Sequence, residues 1–459
     1  MNAVVDRLNA NTTAKITIDE PATTHSPIRQ LQIAPKPTPV RRLAAGTRVT
    51  FVNRYFYPDI SATSQMLFDV TRRLAKQGVI VSVVCSQQRY DNAKARLPAN
   101  EVVEGIQIYR VPTTRFGRDG LVGRSFDYLS FYASATRKLL AITRRGDILV
   151  AKTDPPLISL VAALVAKRRG ATLINWLQDL FPEVASHLGA RLPKGVEKFL
   201  IWLRDRSLQM AEANVVIGTR MRDLLHKQNI DARRIHVIEN WSDGEVIEPK
   251  PVSASALRVS LGLQDKFVVG YSGNLGRAHE YETILSAAMA LRLERDVVFL
   301  MIGGGTKMQQ LQQAVARLDL KNFVFKSYQP REVLADSMAA ADVHLTSLLP
   351  TLEGLIVPSK LYGILAAGRP SIVIGDIDGE LARIVRREHC GEAVAVGDWE
   401  GLVSALWHLK LEPEHRLQLG ARARTVFMEK HTADRGAEQW QKILVAVTQH
   451  VCDEMVAVA

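Results

Sequence analysis

The sequence has few cysteines and no long apolar run, and these two shortages exclude several classes of protein. Its three cysteines, Cys85, Cys390 and Cys452, lie far apart and form no CxxC pair. This spacing excludes a disulfide scaffold, gives no support to a thiolate zinc site and fits a reducing compartment best. The most apolar run, residues 155–166, is twelve residues long. A membrane-spanning helix needs about 20.

The first 46 positions also lack the apolar core that a secretory signal requires. They contain Asp6, Asp19 and Glu20 and are rich in Thr, Ala and Pro. A segment of this composition cannot bury enough apolar surface to fold by itself. We therefore expect residues 1–45 to form a flexible leader.

Positive charge is concentrated in one half of the 459-residue chain. The whole sequence has 59 Lys and Arg against 47 Asp and Glu, which gives a net charge of +12. Residues 1–250 hold 37 basic and 23 acidic residues, a net of +14, whereas residues 251–459 hold 22 and 24, a net of −2. Such asymmetry indicates a polyanionic partner for the first half: nucleic acid, an anionic membrane or a phosphate-bearing substrate.

Apolar strand-like runs alternate with helical spacing twice along the chain, which predicts an α/β protein with two doubly wound, Rossmann-like domains facing a cleft. We expect an N-terminal domain over residues 46–248, a C-terminal domain over 256–425, and a closing helix and tail over 430–459. Ligands of open α/β sheets bind beyond the carboxyl ends of the strands. The chemistry should therefore lie on loops that follow strands of both domains.

Two glycine-rich turns follow predicted strands of the second domain. Residues 271–277 (YSGNLGR) are expected to lead into a helix whose N-terminus would bind phosphate, with Arg277 as a further phosphate donor. A tight turn with a solvated arginine is the alternative. Residues 303–305 (GGG) lack the glycine at position 308 that a dinucleotide fingerprint needs, because that residue is Met308. They indicate either close approach of the backbone to a ligand or a plain turn.

The segment VPSKLY (residues 357–362) places Lys360 in the first turn of a predicted helix, where a cation is unfavourable unless an anion binds. Upstream, Glu353 either holds sugar or ribose hydroxyls or is an exposed loop acid. Asp376 and Asp378 form a D-x-D pair that could hold a divalent cation. Since Asp378 precedes a helical run, we interpret it as a helix N-cap and expect no metal.

Two segments of the first domain carry further candidate functional residues. Asp179 lies on a loop after the predicted strand 172–176, where a carboxylate is placed for base work or for holding a hydroxyl, unless it is a turn acid before Pro182. Residues 115–145 interleave basic and aromatic residues, which suits an anionic membrane interface, unless the aromatics belong to the core. The residues proposed for acceptor or membrane contact are Arg115, Arg118, Arg124, Phe126 and Tyr128.

Five segments together resemble the retaining GT-B glycosyltransferases of family 4, and especially the colanic-acid-type members that build bacterial exopolysaccharide and O-antigen. The resemblance covers residues 46–450. The segments that carry it are residues 48–78, 153–183, 271–285, 299–305 and 357–370.

The resemblance implies a nucleotide-sugar donor on the C-terminal domain, an acceptor on the N-terminal domain, and metal-independent transfer with retention of configuration. The residues that it places at the donor are Gly273, Asn274, Gly276, His279, Gly304, Glu353, Ser359 and Leu361. Arg277 and Lys360 are the candidates for stabilising charge on the leaving diphosphate. Asp179 is the candidate proton acceptor.

The sequence departs from this family's pattern at three places. Many relatives carry Arg directly after the glycine of the donor loop and Lys five residues later, whereas this chain has Asn274 and His279. The paired glutamates of the family fall on Leu355 and Gly363. A loop that is often Gly-Gly is here residues 61–62 (SA).

These inferences predict a glycosyltransferase that is cytoplasmic and peripheral on the inner face of a bacterial cell membrane. Its partners would be a nucleotide sugar, a polyprenyl-diphosphate-linked glycan and the anionic membrane surface, with no resident cofactor. A nucleotide-sugar epimerase and a non-catalytic nucleotide-sugar-binding protein are the alternatives. No segment resembles a nucleic-acid module, so nucleic acid is not an expected partner.

Overall fold

A computed structural model of the chain describes residues 43–458, except residues 60, 91, 93–94, 117–120 and 191. The leader expected over residues 1–45 therefore lies almost wholly outside the described residues. The described chain contains two β-sheets, one after the other in sequence, each covered by helices.

The first sheet has eight strands in the order β3-β4-β2-β1-β5-β6-β7-β8. All neighbours pair in parallel except β3 and β4, which are antiparallel. Helices cover both faces, so central strands such as β1 are apolar and almost wholly buried. The strands are β1 (Arg48–Val52), β2 (Ile80–Ser86), β3 (Asn100–Val103), β4 (Ile106–Val111), β5 (Ile148–Ala151), β6 (Thr172–Trp176), β7 (Ala213–Val216) and β8 (Ile235–Val237).

Six helices accompany this sheet in the described residues. They are α1 (Ala62–Lys76), α2 (Leu121–Ile142), α3 (Ile158–Arg169), α4 (Glu183–His187), α5 (Lys194–Met210) and α6 (Thr219–Lys227). The helix α1 follows β1, and its buried side includes Met66, Leu67 and Leu74.

The second sheet has six strands, all parallel, in the order β11-β10-β9-β12-β13-β14. The strands are β9 (Phe267–Asn274), β10 (Val297–Gly304), β11 (Phe323–Lys326), β12 (Val343–Ser347), β13 (Ser371–Gly375) and β14 (Gly391–Ala395). Its helices are α7 (Ala256–Ser260), α8 (Glu282–Ala290), α9 (Thr306–Arg317), α10 (Leu334–Ala339), α11 (Lys360–Ala366), α12 (Glu380–Arg387), α13 (Trp399–Leu411) and α14 (Pro413–Lys430).

The last helix, α15 (Ala433–Val458), returns to the first domain. Its Trp440 is fully buried, and the ring lies 4.6 Å from that of Trp176 and 6.2 Å from that of Phe51. The chain thus passes from the first domain to the second after β8 and back again before α15. At these two crossings Ser242 and Thr432 pair through their backbones.

The two domains also meet directly. One apolar cluster combines side chains of the first domain, such as Leu180 and Met221, with side chains of the second, such as Leu352 and Leu355. The amide of Leu180 donates to the carbonyl of Leu355 at 3.0 Å. The fold class is therefore confirmed: two doubly wound α/β domains face one another across a cleft.

Among the described residues, no helix is both long enough and apolar enough to cross a membrane.

Candidate active site

The carboxyl ends of β9 and β10 meet at two positions, 273 and 303, that only glycine can occupy. Gly273 has φ +119° and is paired in register with Gly303, which has φ +129°. A Cβ placed on Gly303 would lie 2.1 Å from the carbonyl oxygen of Gly273. Side chains are thus excluded from the floor of the turn, and its backbone is open to close approach by a ligand.

The expected helix N-terminus for phosphate is not at this turn, so that prediction is wrong. The strand β9 ends at Asn274 and α8 begins only at Glu282. The amide of Thr283 in its first turn donates to the carboxylate of Glu280 at 2.7 Å. At the glycine triplet, the first amides of α9, those of Lys307 and Met308, donate to the carbonyl of Leu275. Amides in the first turn of both helices therefore already have partners within the protein.

Lys360 reaches this turn from the neighbouring strand–helix unit. It is the first residue of α11, and its Cε would lie 3.0 Å from a Cβ on Gly273. Its Nζ lies 2.9 Å from Nε2 of His279 and 5.5 Å from the ring centroid of Tyr271. Burial lowers the pKa of Lys360 to about 7. A bound anion would favour the charged form and offset both the burial and the unfavourable helix end.

His279 is buried next to Lys360. Its side chain is 8% exposed, Nδ1 contacts the carbonyl oxygen of Ser347, and Nε2 contacts Lys360. Burial and the neighbouring ammonium lower the pKa of His279 to about 3. Both ring nitrogens are engaged within the protein, so the direct donor contact of His279 stays a prediction. The residue positions Lys360.

A cavity of about 850 Å³ is lined by residues of the first domain together with Arg277 of the second, and its wall thus includes both the predicted acid and the predicted arginine. Asp179 approaches it from the loop after β6, and the exposed Arg277 from the turn after β9. Arg124 and Tyr128 of α2 line it as well. Much of the remaining wall is apolar and consists of Val184, Leu188, Leu192 and Leu200. The wall of the cavity thus combines charged groups with apolar side chains.

Asp179 has an unusual electrostatic environment. Burial raises the pKa of Asp179 to about 6, with a further contribution from Asp154, while a hydrogen bond from Thr153 and the charge of Lys152 act against the rise. Residue 179 also forms an isolated antiparallel bridge with Ile356 of the other domain. The carboxyl group is therefore held at the domain boundary, and its pKa is close to the range useful for acid–base chemistry.

Lys152 is a residue of this region that sequence reasoning missed. It follows β5, is fully buried, and donates from Nζ to the carbonyl of Thr63 at 2.9 Å. The ammonium lies 3.7 Å from the ring centroid of Trp176, and burial lowers its pKa to about 7. Lys152 thus fixes the start of α1 against the end of β5. The sequence does contain a signal for this residue, because a single lysine directly follows the apolar run ILVA.

A second cavity of about 480 Å³ lies between α1, the segment after β8, and the loop after β11. Its wall includes Ser359, Asp69, Trp241 and Tyr328. The guanidinium of Arg331 pairs with Asp243 at 2.6 Å across two of these segments. Ser359 precedes Lys360 in sequence, so this cavity is adjacent to the residue that reaches the glycine turn.

The other residues predicted at the donor have mixed surroundings. Asn274 is exposed, and its side chain lies 3.0 Å from the position of a Cβ on Gly276. Gly304 uses its carbonyl to accept the amide of Leu275 at 2.8 Å. The side chain of Leu361 is fully buried in the apolar cluster between the domains, so only its backbone could contact a donor.

Glu353 and the D-x-D pair organise the start of α12. The carboxylate of Glu353 accepts the amide of Glu380 at 2.6 Å, and the side chain is half-buried rather than exposed. Burial raises its pKa. The N-cap position is Gly379, so the prediction that Asp378 caps this helix is wrong. Asp376 instead accepts the amide of Asp378 at 2.9 Å. In the described part of the chain, no cluster of three or more His, Cys, Asp or Glu could hold a metal ion.

The residues predicted for acceptor or membrane contact fall into two groups. Arg115 and Phe126 are exposed. Arg124 and Tyr128 line the larger cavity, and the guanidinium of Arg54 lies 5.1 Å from the ring centroid of Tyr128. Arg118 lies outside the described residues.

Comparison with known families matches both domains. A glycosyl transferase 4-like domain matches residues 62–241, and a glycosyl transferases group 1 domain matches residues 253–426. Together these two matches cover most of the chain.

Named relatives share this assignment. The chain is 30% identical over 257 residues to the probable glycosyltransferase WbjE of Pseudomonas aeruginosa; the match covers 54% of this chain and 62% of that protein. It is 26% identical over 377 residues to the putative colanic acid biosynthesis glycosyl transferase WcaI of Escherichia coli (strain K12), covering 78% of this chain and 91% of that protein. Among solved structures, Anabaena Alr3699/HepE in complex with UDP and glucose superposes with a TM-score of 0.63 at 15% identity, covering 90% of this chain and 100% of that one. This last similarity concerns the fold.

Proposed function

This chain belongs to the group 1 glycosyltransferases of GT-B architecture, and on that premise we propose that it transfers a sugar from a nucleotide sugar to a lipid-linked glycan in the synthesis of a bacterial surface polysaccharide. One observation carries the proposal: Arg277 of the C-terminal domain and Asp179 of the N-terminal domain line the same cavity. A donor diphosphate near the arginine and an acceptor hydroxyl near the carboxylate can therefore meet there.

The donor diphosphate lies over the glycine turn in this proposal. Gly273 leaves the backbone accessible, Lys360 supplies a half-buried ammonium beside it, and Arg277 supplies a guanidinium on the wall of the larger cavity. We assign the nucleoside to the smaller cavity, because Ser359 on its wall is adjacent to Lys360. The crystal structure of HepE with UDP and glucose supports a donor of this chemical class.

The reaction retains the configuration at the anomeric carbon. The acceptor hydroxyl oxygen forms a bond to that carbon on the face from which the diphosphate oxygen departs, and the hydroxyl proton passes to the departing diphosphate. Lys360 and Arg277 stabilise the negative charge that develops there, and Asp179 orients the hydroxyl by accepting its hydrogen bond. These two cations supply the charge that a metal supplies in other enzymes, so the proposed step includes no metal.

The acceptor reaches the cavity from a membrane surface in this proposal. A polyprenyl diphosphate has a long apolar chain next to two phosphates, and the cavity combines apolar walls with Arg124 and Arg277. The exposed Arg115 and Phe126 lie near this wall in sequence and suit contact with anionic lipid. The protein would then act as a peripheral protein at the cytoplasmic face of the cell membrane.

The proposal is tested by incubating the purified chain with bacterial membranes and a set of radiolabelled nucleotide sugars. We expect transfer of label from one donor to lipid-extractable material, and a loss of at least about tenfold for Arg277→Ala and for Lys360→Ala. Arg292→Ala, which removes an exposed arginine elsewhere in the same domain, is the matched control.

Three outcomes would contradict the proposal. Isomerised or hydrolysed donor in the absence of acceptor would indicate an epimerase-type enzyme. Donor binding without turnover would indicate a binding protein. Full activity of both charge variants would remove Arg277 and Lys360 from the mechanism.

A further inference from the structure

The helix α5 carries exposed apolar side chains on its solvent face. Val196, Phe199, Trp202 and Met210 are 45%, 55%, 59% and 42% exposed. Their spacing places them along one side of the helix. The rings of Phe199 and Trp202 stack at 5.9 Å with an interplanar angle of 20°. A contiguous exposed apolar surface of this kind marks a site of interaction.

The charges around this stripe have one sign. The exposed charged residues of α5 are Lys194, Lys198 and Arg206, all of them cationic. The two acids of the helix are half-buried: Glu197 accepts the hydroxyl of Ser186 at 2.6 Å, and Asp205 pairs with Arg204 at 2.8 Å. Large aromatic side chains between cations complement an anionic lipid surface, which offers an apolar layer beneath a layer of phosphates.

The stripe is continuous with the larger cavity. Leu200 of α5 lies on the wall of that cavity, one residue after Phe199. The helix α2 also contributes to this wall through Arg124 and Tyr128, and its exposed Phe126 lies 5.9 Å from the exposed Phe116 of the segment before the helix. Both of these helices thus carry at least one exposed aromatic residue next to a cavity-lining residue.

We propose that α5 is a membrane-docking helix. Phe199 and Trp202 insert at the boundary between headgroups and acyl chains of an anionic bilayer, while Lys194, Lys198 and Arg206 contact lipid phosphates. This docking seats the cavity on the bilayer, so that a lipid-linked acceptor enters directly from the membrane. The acceptor part of the inference rests on the proposed function, whereas the lipid contact of α5 does not.

The test measures co-sedimentation of the full-length chain with vesicles of phosphatidylcholine, with and without phosphatidylglycerol. We expect binding to the anionic vesicles, and binding at least about tenfold weaker for the double variant Phe199→Ser/Trp202→Ser. Leu417→Ser/Met428→Ser, which removes two exposed apolar residues of α14, is the matched control and should bind as the unaltered chain does. Lys194→Gln/Lys198→Gln/Arg206→Gln should weaken binding and reduce its dependence on salt.

The depth to which Trp202 inserts into the bilayer is measured separately by tryptophan fluorescence. Vesicles with brominated acyl chains should quench Trp202, and Trp202→Phe should abolish that quenching while vesicle binding persists. Equal vesicle binding by the Phe199→Ser/Trp202→Ser variant would overturn the proposal. A dimer of the free protein that this variant dissociates would do so too, because the stripe would then be covered by a second copy.

Two further measurements separate this inference from the proposed function. Vesicle binding through α5 without transfer from any nucleotide sugar would leave the docking helix standing and contradict the function. Transfer to lipid-linked acceptor by a chain that binds no anionic vesicle would support the function and contradict the docking helix. If both hold, Phe199→Ser/Trp202→Ser should lose transfer to acceptor in vesicles and keep transfer to a short-chain, water-soluble acceptor.

Discussion

The ammonium of Lys360 donates to Nε2 of His279 at 2.9 Å, and His279 donates from Nδ1 to the carbonyl of Ser347. A carbonyl can only accept, so Nδ1 carries the proton of the neutral ring and Nε2 is the acceptor. In the described part of the chain, no carboxylate forms an ion pair with Lys360. The ammonium is thus held in position by a neutral partner, and its charge is available to a ligand.

The affinity for the donor should fall as the pH rises through about 7. Lys360 has a pKa lowered to about 7 in the free protein, so its charge is present below this pH and lost above it. A nucleotide-sugar diphosphate does not titrate in this range and binds the charged form better. We expect affinity to fall by roughly ten- to thirtyfold between about pH 6 and about pH 8.5, measured by calorimetry without acceptor.

Two substitutions at Lys360 separate its charge from its shape. Lys360→Arg keeps a charge that does not titrate, so binding should become independent of pH. Lys360→Met should bind weakly at every pH. If donor binding by Lys360→Met still depended on pH, a group other than Lys360 would be the cause of that dependence.

His279→Ala should weaken donor binding by removing the acceptor of Lys360. Loss of one hydrogen bond to a charged group amounts to about 1.5–3 kcal/mol, part of which a water molecule recovers. We expect donor affinity to drop at least about fivefold and the pH at which binding declines to move downward, because the ammonium is less stabilised. His279→Gln, whose amide oxygen can accept from Lys360, should restore most of both. Identical pH profiles for the unaltered chain and His279→Ala would refute this positioning role.

Asp179→Asn should reduce transfer and leave donor binding intact. The carboxyl group lies on the N-terminal domain, and its pKa, raised to about 6, leaves it ionised at neutral pH. We expect transfer to fall at least about tenfold while donor affinity changes less than twofold.

The stability of Asp179→Asn provides a control on that variant. Because its pKa is raised in the folded protein, the carboxyl group contributes stability below about pH 4 that is lost as the pH rises through about 6. The amide does not titrate. The melting temperature of Asp179→Asn at pH 8 should therefore equal or exceed that of the unaltered chain, and a clear drop would show that any loss of transfer reflects unfolding.

Gly303→Ala should destabilise the C-terminal domain strongly. The added Cβ would lie 2.1 Å from the carbonyl oxygen of Gly273 at a φ of +129°, so β9 and β10 must separate at their carboxyl ends. We expect a cost of about 2–4 kcal/mol in the free energy of unfolding, measured by urea denaturation. Gly262→Ala has a positive φ but open space around it, and should cost about 1 kcal/mol. Equal costs at the two positions would show that the β9–β10 contact is not tight.

The fold was predictable from sequence wherever strands are central and apolar. The apolar runs at residues 106–111, 172–176 and 371–375 predict strands that coincide with β4, β6 and β13, and the runs at 48–53 and 267–273 predict strands that end one residue from the ends of β1 and β9. The strands missed were β3 and β14, both at sheet edges. The side chains of β3 (NEVV) alternate between exposed and half-buried, and β14 (GEAVA) has one buried residue. Short edge strands bury too little apolar surface to leave a periodic signal.

The site was predictable where a local conflict was visible in the sequence. Lys360 at the start of a helix was such a conflict, and the structure places it beside Gly273. The surroundings of His279 and Glu353 were not predictable, because their partners are distant in sequence: Ser347 lies 68 residues after His279, and Glu380 lies 27 after Glu353. Such pairings exist only once the sheet has brought its strand ends together.

The two chain crossings have a mechanical consequence. The chain passes between the domains twice, and the two connections lie side by side where Ser242 and Thr432 pair through their backbones. We therefore expect the domains to move apart chiefly by rotation about this pair, with the gap between them widening in proportion to distance from it. The hydrogen bond from Leu180 to Leu355 joins the domains elsewhere, so rotation would have to break it. Asp179 directly precedes Leu180, so we expect separation of the domains to displace its loop.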